Sequence, residues 1–509
     1  MNLSLLRNAF SNLLGAVVPA LVALGTVPLV VKGLGDASYG VYSLVTAIVG
    51  YFAVIDINVT AGSVKFIAGF NANRDDAAER DRINETVFFG LSIYTLLGVL
   101  GGLGLFFGAH FFVTRVFTVA PDLVEEATAT LRLAALGFFL GQLQSYLQSI
   151  PQALLRYDIA SRVEMLFGTG VPLLTVGVLM LGYGLFEVIL VRVVASAVNC
   201  VVLWRCIRRL LPGLAWRKPG PAIRRGLLGF SAYSFLSRFA TLSYAYADKL
   251  IIGALVGVTG LAYFTVASTL ANRVLGLTFR LSGVFFPATS ALAALGELER
   301  LRTLYLKASR YVVFLNASVL VLVAAFSYQI LYYWMDPQFA RAGQVVLSVM
   351  ALSQFIDSLT SLPSLVNDGM GYPRYSGMFA LARALVGLVL VYLGVDGWGI
   401  DGAAWGHLLA SILLTSAFLA TVHGRTVPAR LADLLRHAYL PSVFGVGLVG
   451  LAASVGNRLL DRGPLDLALL VLLTMALLFA WGALFVIEKD DKDLAWSRVK
   501  GILSMRKPV

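Results

Sequence analysis

Residues 86–109 read TVFFGLSIYTLLGVLGGLGLFFGA, 24 residues without a charge. A helix rises 1.5 Å per residue, so roughly 20 apolar residues carry it across a hydrocarbon core of about 30 Å. The run does not alternate polar and apolar residues, as a strand of a membrane barrel would. We read it as the centre of one spanning helix, 84–109.

The same criterion, applied outward, finds thirteen further segments. Those of the first half are 9–31, 39–61, 128–150, 164–184 and 186–206. The next six are 229–254, 260–291, 309–334, 342–366, 375–394 and 401–423, and a last pair lies at 438–457 and 464–487. The chain therefore reads as an all-α polytopic membrane protein of about fourteen transmembrane helices. Its totals agree: 58% of the 509 residues are hydrophobic and 13% are charged, with a mean hydropathy of +0.81. A soluble domain averages roughly 45–50% apolar and about 25% charged. The first segment follows Arg7 and is longer than the apolar stretch of a signal peptide, with no clear cleavage site, so it is expected to stay as a spanning helix.

The net charge of +12 suggests nucleic acid only until the cations are placed. With the N-terminus in the cytoplasm, 28 of the 40 Lys and Arg residues fall on cytoplasmic connections and 5 on the opposite side. This asymmetry satisfies the positive-inside rule and puts both termini in the cytoplasm. It leaves no nucleic-acid site to explain. Cys200 and Cys206 share one apolar segment and its basic end, which suggests neither a disulfide nor a metal site.

An internal repeat is visible. Pro151 and Pro363 each precede a Leu-Gly pair, Leu181-Gly182 and Leu393-Gly394, by about 30 residues. Gly35 and Tyr42 have counterparts in Gly257 and Tyr263. The expected organisation is a six-helix lobe at 1–206, a basic cytoplasmic linker at 207–228 and a second six-helix lobe at 229–423. Two more helices follow at 438–487, then a basic cytoplasmic tail at 488–509. Two lobes in the same orientation form a parallel repeat, a common plan among transporters.

Three stretches carry a family resemblance. They are Pro28 to Tyr42 (PLVVKGLGDASYGVY), Asp56-Ile-Asn-Val with Lys65-Phe-Ile-Ala, and Asp248-Lys-Leu-Ile-Ile-Gly253 followed by Gly260 to Ala267. In order and spacing they resemble the polysaccharide-transporter branch of the multidrug/oligosaccharidyl-lipid/polysaccharide (MOP) exporter superfamily, which contains the Wzx-type O-antigen flippases. Asn58 stands where that family usually has Gly. The resemblance implies alternating access between two lobes around a central cavity. It implies an oligosaccharide on an undecaprenyl pyrophosphate carrier as substrate, moved across a bacterial cytoplasmic (inner) membrane. Beyond the bilayer, candidate partners are other proteins of polysaccharide assembly.

Apart from Arg205 and Arg310, counted with the cytoplasmic side at their span ends, seven cations fall within the proposed spans: Arg132, Arg192, Arg238, Lys249, Arg273, Arg280 and Arg383. An ionisable group at mid-bilayer costs at least about 2.5–3.5 kcal/mol, so it faces a cavity or a partner. Arg238, Arg273, Arg280 and Arg383 lie deep in their segments. With Lys249 they are the candidates for holding a diphosphate or an acidic sugar, because guanidinium offers paired donors matched to phosphate oxygens. The competing role is to pair with a carboxylate and fix helix packing. Arg132 and Arg192 lie near helix ends, where snorkelling is expected. Adjacent residues do not face one another on a helix, so a simple pair between Lys249 and Asp248 is not expected. Carboxylates suited to couple H⁺ or Na⁺ are Asp357, the deepest, then Asp56 and Asp248; each equally suits an arginine partner. Glu164, Glu187 and Asp368 are expected to be solvated at helix ends. His407 is a candidate buried switch.

Tyr233, Phe235, Phe239, Tyr244 and Tyr246 crowd the seventh segment, where packing or lipid contact competes with stacking on sugar rings. No phosphate-binding loop is present, no catalytic residue stands out, and no resident cofactor or metal is implied. Energy is expected from an ion gradient, the membrane potential or consumption of product. Two other readings are an ion-coupled drug antiporter and a membrane glycosyltransferase or polymerase. A cationic lining disfavours the first, and the lack of acidic residues on a large loop disfavours the second.

The charge asymmetry makes a prediction. A reporter inserted at Asp75 or on the C-terminal tail will read cytoplasmic, and one at Pro121 external. A tail that reads external would break the even count of spans.

Overall fold

The structure is a computed structural model and describes residues 3–493, without 57, 72–75, 283–284, 460–462 and 490. Side chains are left aside at 3–17, 228–234, 236–237, 274–288, 291 and 458–459. The tail beyond 493, and Asp75, lie outside the described residues.

Every regular element among the described residues is helical. This follows from the solvent, since a helix pairs its backbone groups internally and hydrocarbon offers none. Nine stretches of the described residues are long and apolar enough to cross a membrane, from Asp36–Ile55 to Pro464–Val486. Their outward side chains are those that water rejects: Phe107 is 76% and Phe479 77% exposed. The chain is a multi-span membrane protein with an all-α fold.

The expected segments fall on helices, several of them interrupted. Segment 39–61 is split between Asp36–Phe52, a short turn at Ala53–Ile55 and Val59–Asn71. Segment 229–254 runs through Pro221–Leu242, a wide π-helical turn at Ser243–Ala247 and Asp248–Leu255. Segment 342–366 breaks between Pro337–Ser358 and Ser361–Gly369. Segments 375–394 and 401–423 lie in one stretch, Pro373–Arg425, which kinks at Trp398 and Gly399.

Contacts group the chain into two compact units, Met1–Val266 with Ala384–Ala403, and Ala267–Arg383 with Ala404–Val509. In the first, Tyr94 stacks on Tyr146 at 5.1 Å, and Ile83, Val87, Ile150, Leu203 and Ile207 complete a buried core. The Tyr146 hydroxyl donates to the carbonyls of Thr86 and Val87 at 3.1 and 3.0 Å. Gly35 and Gly257 both have positive φ, 78° and 99°, and each ends one helix and starts the next. The helices they start meet within this unit, where Tyr263 donates to Asp36 Oδ2 at 2.8 Å. Thr118 adds bonds to the carbonyls of Gly253 and Ala254 at 3.1 and 2.9 Å.

The second unit has its own core around Tyr305, Val366, Phe418, Val422 and Leu434. Trp481 donates from its indole to the Pro441 carbonyl at 2.8 Å, joining the last two long helices. Beyond them, Asp491 is held by Lys307 at 2.8 Å and by the Tyr311 hydroxyl. The Lys307 bond, then the Tyr311 bond, keep the Asp491 carboxyl below the usual carboxylate range. A depressed carboxylate contributes stability above its unfolded pKa, so this strap is intact at neutral pH and lost only in acid.

Gly394 and Gly402 face each other across the kink of Pro373–Arg425. A Cβ built on either would fall on the other's carbonyl oxygen. We predict that Gly402→Ala destabilises the protein by about 1–3 kcal/mol, the usual cost of overpacking. Gly397→Ala, where nothing lies within 4 Å, is the control and should be neutral. Thermal unfolding in detergent distinguishes them; equal midpoints would show that the close approach carries no energy.

Candidate functional site

Two clusters of polar and charged groups lie at helix breaks, one in each unit. In the first, the helix stops after Ala53–Ile55 and Asp56 is extended, with φ −67° and ψ 108°. Asn58 has φ 58° before the helix restarts at Val59. That left-handed conformation favours Gly and, among residues with a Cβ, Asn. Asn58 therefore meets the backbone demand of a position where Gly is usual.

The break releases backbone donors onto Asp56, whose side chain is 3% exposed. Its Oδ1 accepts the Asn58 N–H and the Tyr94 hydroxyl, both at 2.7 Å. The Tyr94 oxygen accepts in turn from the Thr60 N–H at 3.2 Å and meets Thr60 Oγ1 at 2.5 Å. Arg238 is a looser partner. Its Nη2 is 3.8 Å from Asp56 Oδ2, beyond hydrogen-bond reach, and its side chain is 36% exposed. Its Nε is buried with no hydrogen-bond partner among the described residues. Asp56 is thus satisfied mainly by neutral donors, and Arg238 keeps unused donor capacity.

In the second unit Asp357 lies one residue before the end of Pro337–Ser358. Arg383 reaches it at two points, Nη2 to Oδ2 at 3.0 Å and Nε to Oδ1 at 3.3 Å. The same Nη2 donates to Ser411 Oγ at 2.7 Å and to the His407 carbonyl at 3.3 Å. Ser411 Oγ is 2.7 Å from Ser353 Oγ. One guanidinium therefore ties Pro337–Ser358 to residues on both sides of the kink in Pro373–Arg425. Gln354, a turn before Asp357, donates to Asn272 Oδ1 at 2.6 Å, fastening the helix Val258–Ser282 beside the pair. The next residue, Arg273, is exposed and has no ion pair with a described residue.

The five candidate cations thus have different surroundings. Arg383 is neutralised by Asp357, Arg238 is loosely paired, and Arg273 is exposed. Arg280 and Tyr233 lie outside the described residues. Lys249 corrects the expectation drawn from helix geometry: its Nζ sits 3.4 Å from Asp248 Oδ1 and donates to the Ala245 carbonyl at 2.9 Å. The buried Asp248 carboxylate turns over its own backbone to accept the Lys249 N–H at 2.7 Å, which brings it within reach of the curled lysine stem. Asp368 is a second correction. It is half-buried and accepts from Ser376 and Asn367 at 2.6 and 3.1 Å, rather than being solvated. Arg132 and Arg192 are exposed and lie over the rings of Phe106 and Tyr42 at 5.7 and 5.5 Å. His407 is buried, and its backbone rather than its ring touches Arg383. Phe235 and Phe239 pack on one another, ring centroids 6.4 Å apart.

Sequence reasoning passed over Tyr94, Thr60, Ser411 and Gln354. The available signal was Tyr94, a phenol in an otherwise apolar run, since a buried tyrosine hydroxyl usually finds a partner.

We predict that Tyr94→Phe destabilises the protein by about 1–3 kcal/mol, the cost of leaving buried polar groups unmade at Asp56 and Thr60. Arg238→Ala should cost less than about 1 kcal/mol, because its contact with Asp56 is long, at 3.8 Å, and the arginine is 36% exposed. Thermal midpoints in detergent decide this, and the reverse order would make Arg238 the structural partner.

A family model for polysaccharide biosynthesis proteins matches residues 30–342. A Shigella flexneri protein whose name assigns it to O-antigen transport is 21% identical over 413 residues, covering 81% of this chain and 96% of its own. Among solved structures, the lipid II flippase MurJ in an inward closed conformation aligns with a TM-score of 0.70 and 13% identity, over 93% of this chain and 98% of its own. An inward-facing multidrug-resistance MATE transporter of the MOP superfamily aligns with a TM-score of 0.66 and 17% identity, over 82% and 98%. At such identities the likeness establishes the fold, that of MOP-superfamily transporters. With the family match spanning more than half its length, the chain belongs to the polysaccharide biosynthesis protein family.

Proposed function

We propose that the protein is a flippase for a lipid-linked oligosaccharide. It carries the sugar chain, on undecaprenyl pyrophosphate, across the bacterial cytoplasmic membrane for cell-surface polysaccharide synthesis, by alternating access. One observation supports the substrate class above the others: among the described residues, each unit holds a cation in an apolar helix that its nearby carboxylates do not fully neutralise. Arg273 is exposed with no ion pair to a described residue, and Arg238 stands 3.8 Å from an already hydrogen-bonded Asp56. A diphosphate supplies the missing negative charge. The drug-exporting relatives share the fold, but an organic cation would be repelled by the same arginines. The chain carries no phosphate-binding loop, so the reading includes coupling to an ion gradient or membrane potential rather than ATP.

The test compares Arg273→Ala with Arg273→Lys at equal expression and membrane insertion. Alanine should lower surface glycan about tenfold or more, in line with about 1.5–3 kcal/mol for a hydrogen bond to a charged group. Lysine should rescue in part, because it restores charge but not paired donors. Wild-type glycan in both variants would remove the anion role from this residue.

A further inference from the structure

We infer that the Asp357–Arg383 pair is an anion site closed by the protein's own carboxylate, and that the diphosphate of the carrier displaces Asp357 from Arg383 during transport. The inference rests on the flippase reading above.

The geometry carries it. Arg383 presents Nε and Nη2 side by side to two oxygens, the arrangement in which guanidinium also binds phosphate. Asp357 thus occupies the place of a two-oxygen face of a phosphate group. The pair is not fully sealed: the Arg383 side chain remains 12% and the Asp357 side chain 20% exposed.

Arg383 has other anchors that survive the exchange, Ser411 Oγ at 2.7 Å and the His407 carbonyl at 3.3 Å. The guanidinium therefore stays in place when the carboxylate leaves. Asp357, by contrast, sits where its helix ends at Ser358 and restarts at Ser361, bridged only by Leu359 and Thr360. A carboxylate at such a break can withdraw without unwinding a continuous helix.

Charge favours the exchange as well. Arg273, next to the Asn272 that is bonded to Gln354, adds a cation with no described ion-pair partner on the neighbouring helix. Among the described residues, Arg273 and Arg383 carry two positive charges and Asp357 one negative charge. A diphosphate with at least two negative charges competes well for such a pair. When no substrate is bound, Asp357 spares Arg383 the cost of being a buried, uncompensated charge.

The test measures binding of farnesyl pyrophosphate, a short prenyl diphosphate, to the purified full-length protein in detergent. Asp357→Asn removes the competitor and should tighten binding about tenfold or more. The neutral pair Asp357→Asn with Arg383→Gln should bind about tenfold more weakly than wild type. This second variant decides the matter if Asp357→Asn alone is not recovered folded. A pair that only fastens helices predicts wild-type affinity in the neutral pair, and that result would overturn the exchange. So would Asp357→Asn binding no tighter than wild type. In either case weaker binding by Arg273→Ala would leave the flippase reading standing. No farnesyl pyrophosphate binding by wild type or by any variant would overturn both. Glucuronate is the control ligand: if its binding tightens equally in Asp357→Asn, the site belongs to a sugar carboxylate and the diphosphate assignment fails.

Discussion

A backbone N–H or C=O without a partner in hydrocarbon costs several kcal/mol, and no water is at hand to supply one. The rest of this structure depends on that constraint. It makes the described regular elements helical and turns apolar side chains such as Phe107 and Phe479 outward. It also makes each interruption of a helix an expensive event that some other group must compensate. The interruptions are therefore informative. At Asp56 the carboxylate takes the Asn58 N–H that the break exposes, and Tyr94 and Thr60 complete the network. Near Asp357 the hydroxyl and N–H of Thr360 return to the Asp357 carbonyl where the helix stops.

Those same breaks are where the candidate chemistry lies. A continuous apolar helix offers lipid-facing or packing surface and little else, whereas a break brings backbone dipoles and polar side chains into one place. The two clusters solve the problem of buried charge differently. Asp56 is dispersed over neutral donors and leaves Arg238 partly available. Asp357 is neutralised by a two-point guanidinium bond that also spans the kink of Pro373–Arg425. Removing one member of such a pair exposes the other to the full desolvation cost, which is why paired substitutions are more informative than single ones.

Close backbone approach is the second device. Gly394 against Gly402 lets the two arms of Pro373–Arg425 meet without intervening side chains. Packing, rather than a hydrophobic drive, must hold helices together in lipid, so small residues at contacts are expected. Gly35 and Gly257 both provide the positive φ that turns one helix into the next.

Hydropathy and charge asymmetry alone were enough to establish the membrane class, the helical fold and the regions that hold its helices. Each depends on the exchange of local side chains between water and lipid. The unusual intramembrane cations were equally legible, because a charge in an apolar run is conspicuous. Their roles were not. Arg383 and Asp357 are 26 residues apart and lie on different helices, and only packing sets their two oxygens against two nitrogens. Lys249 and Asp248 are adjacent, and ideal helix geometry argues against the contact that a bent carboxylate and a curled lysine stem make. Tyr94 signals a buried hydroxyl in need of a partner, but only packing shows that the partner is Asp56. The sequence by itself determined where each helix meets lipid, since that is a local transfer energy. Only the tertiary structure decided which charges are neutralised and which remain available, because an ion pair is a relation of distance and angle between helices that no single segment contains.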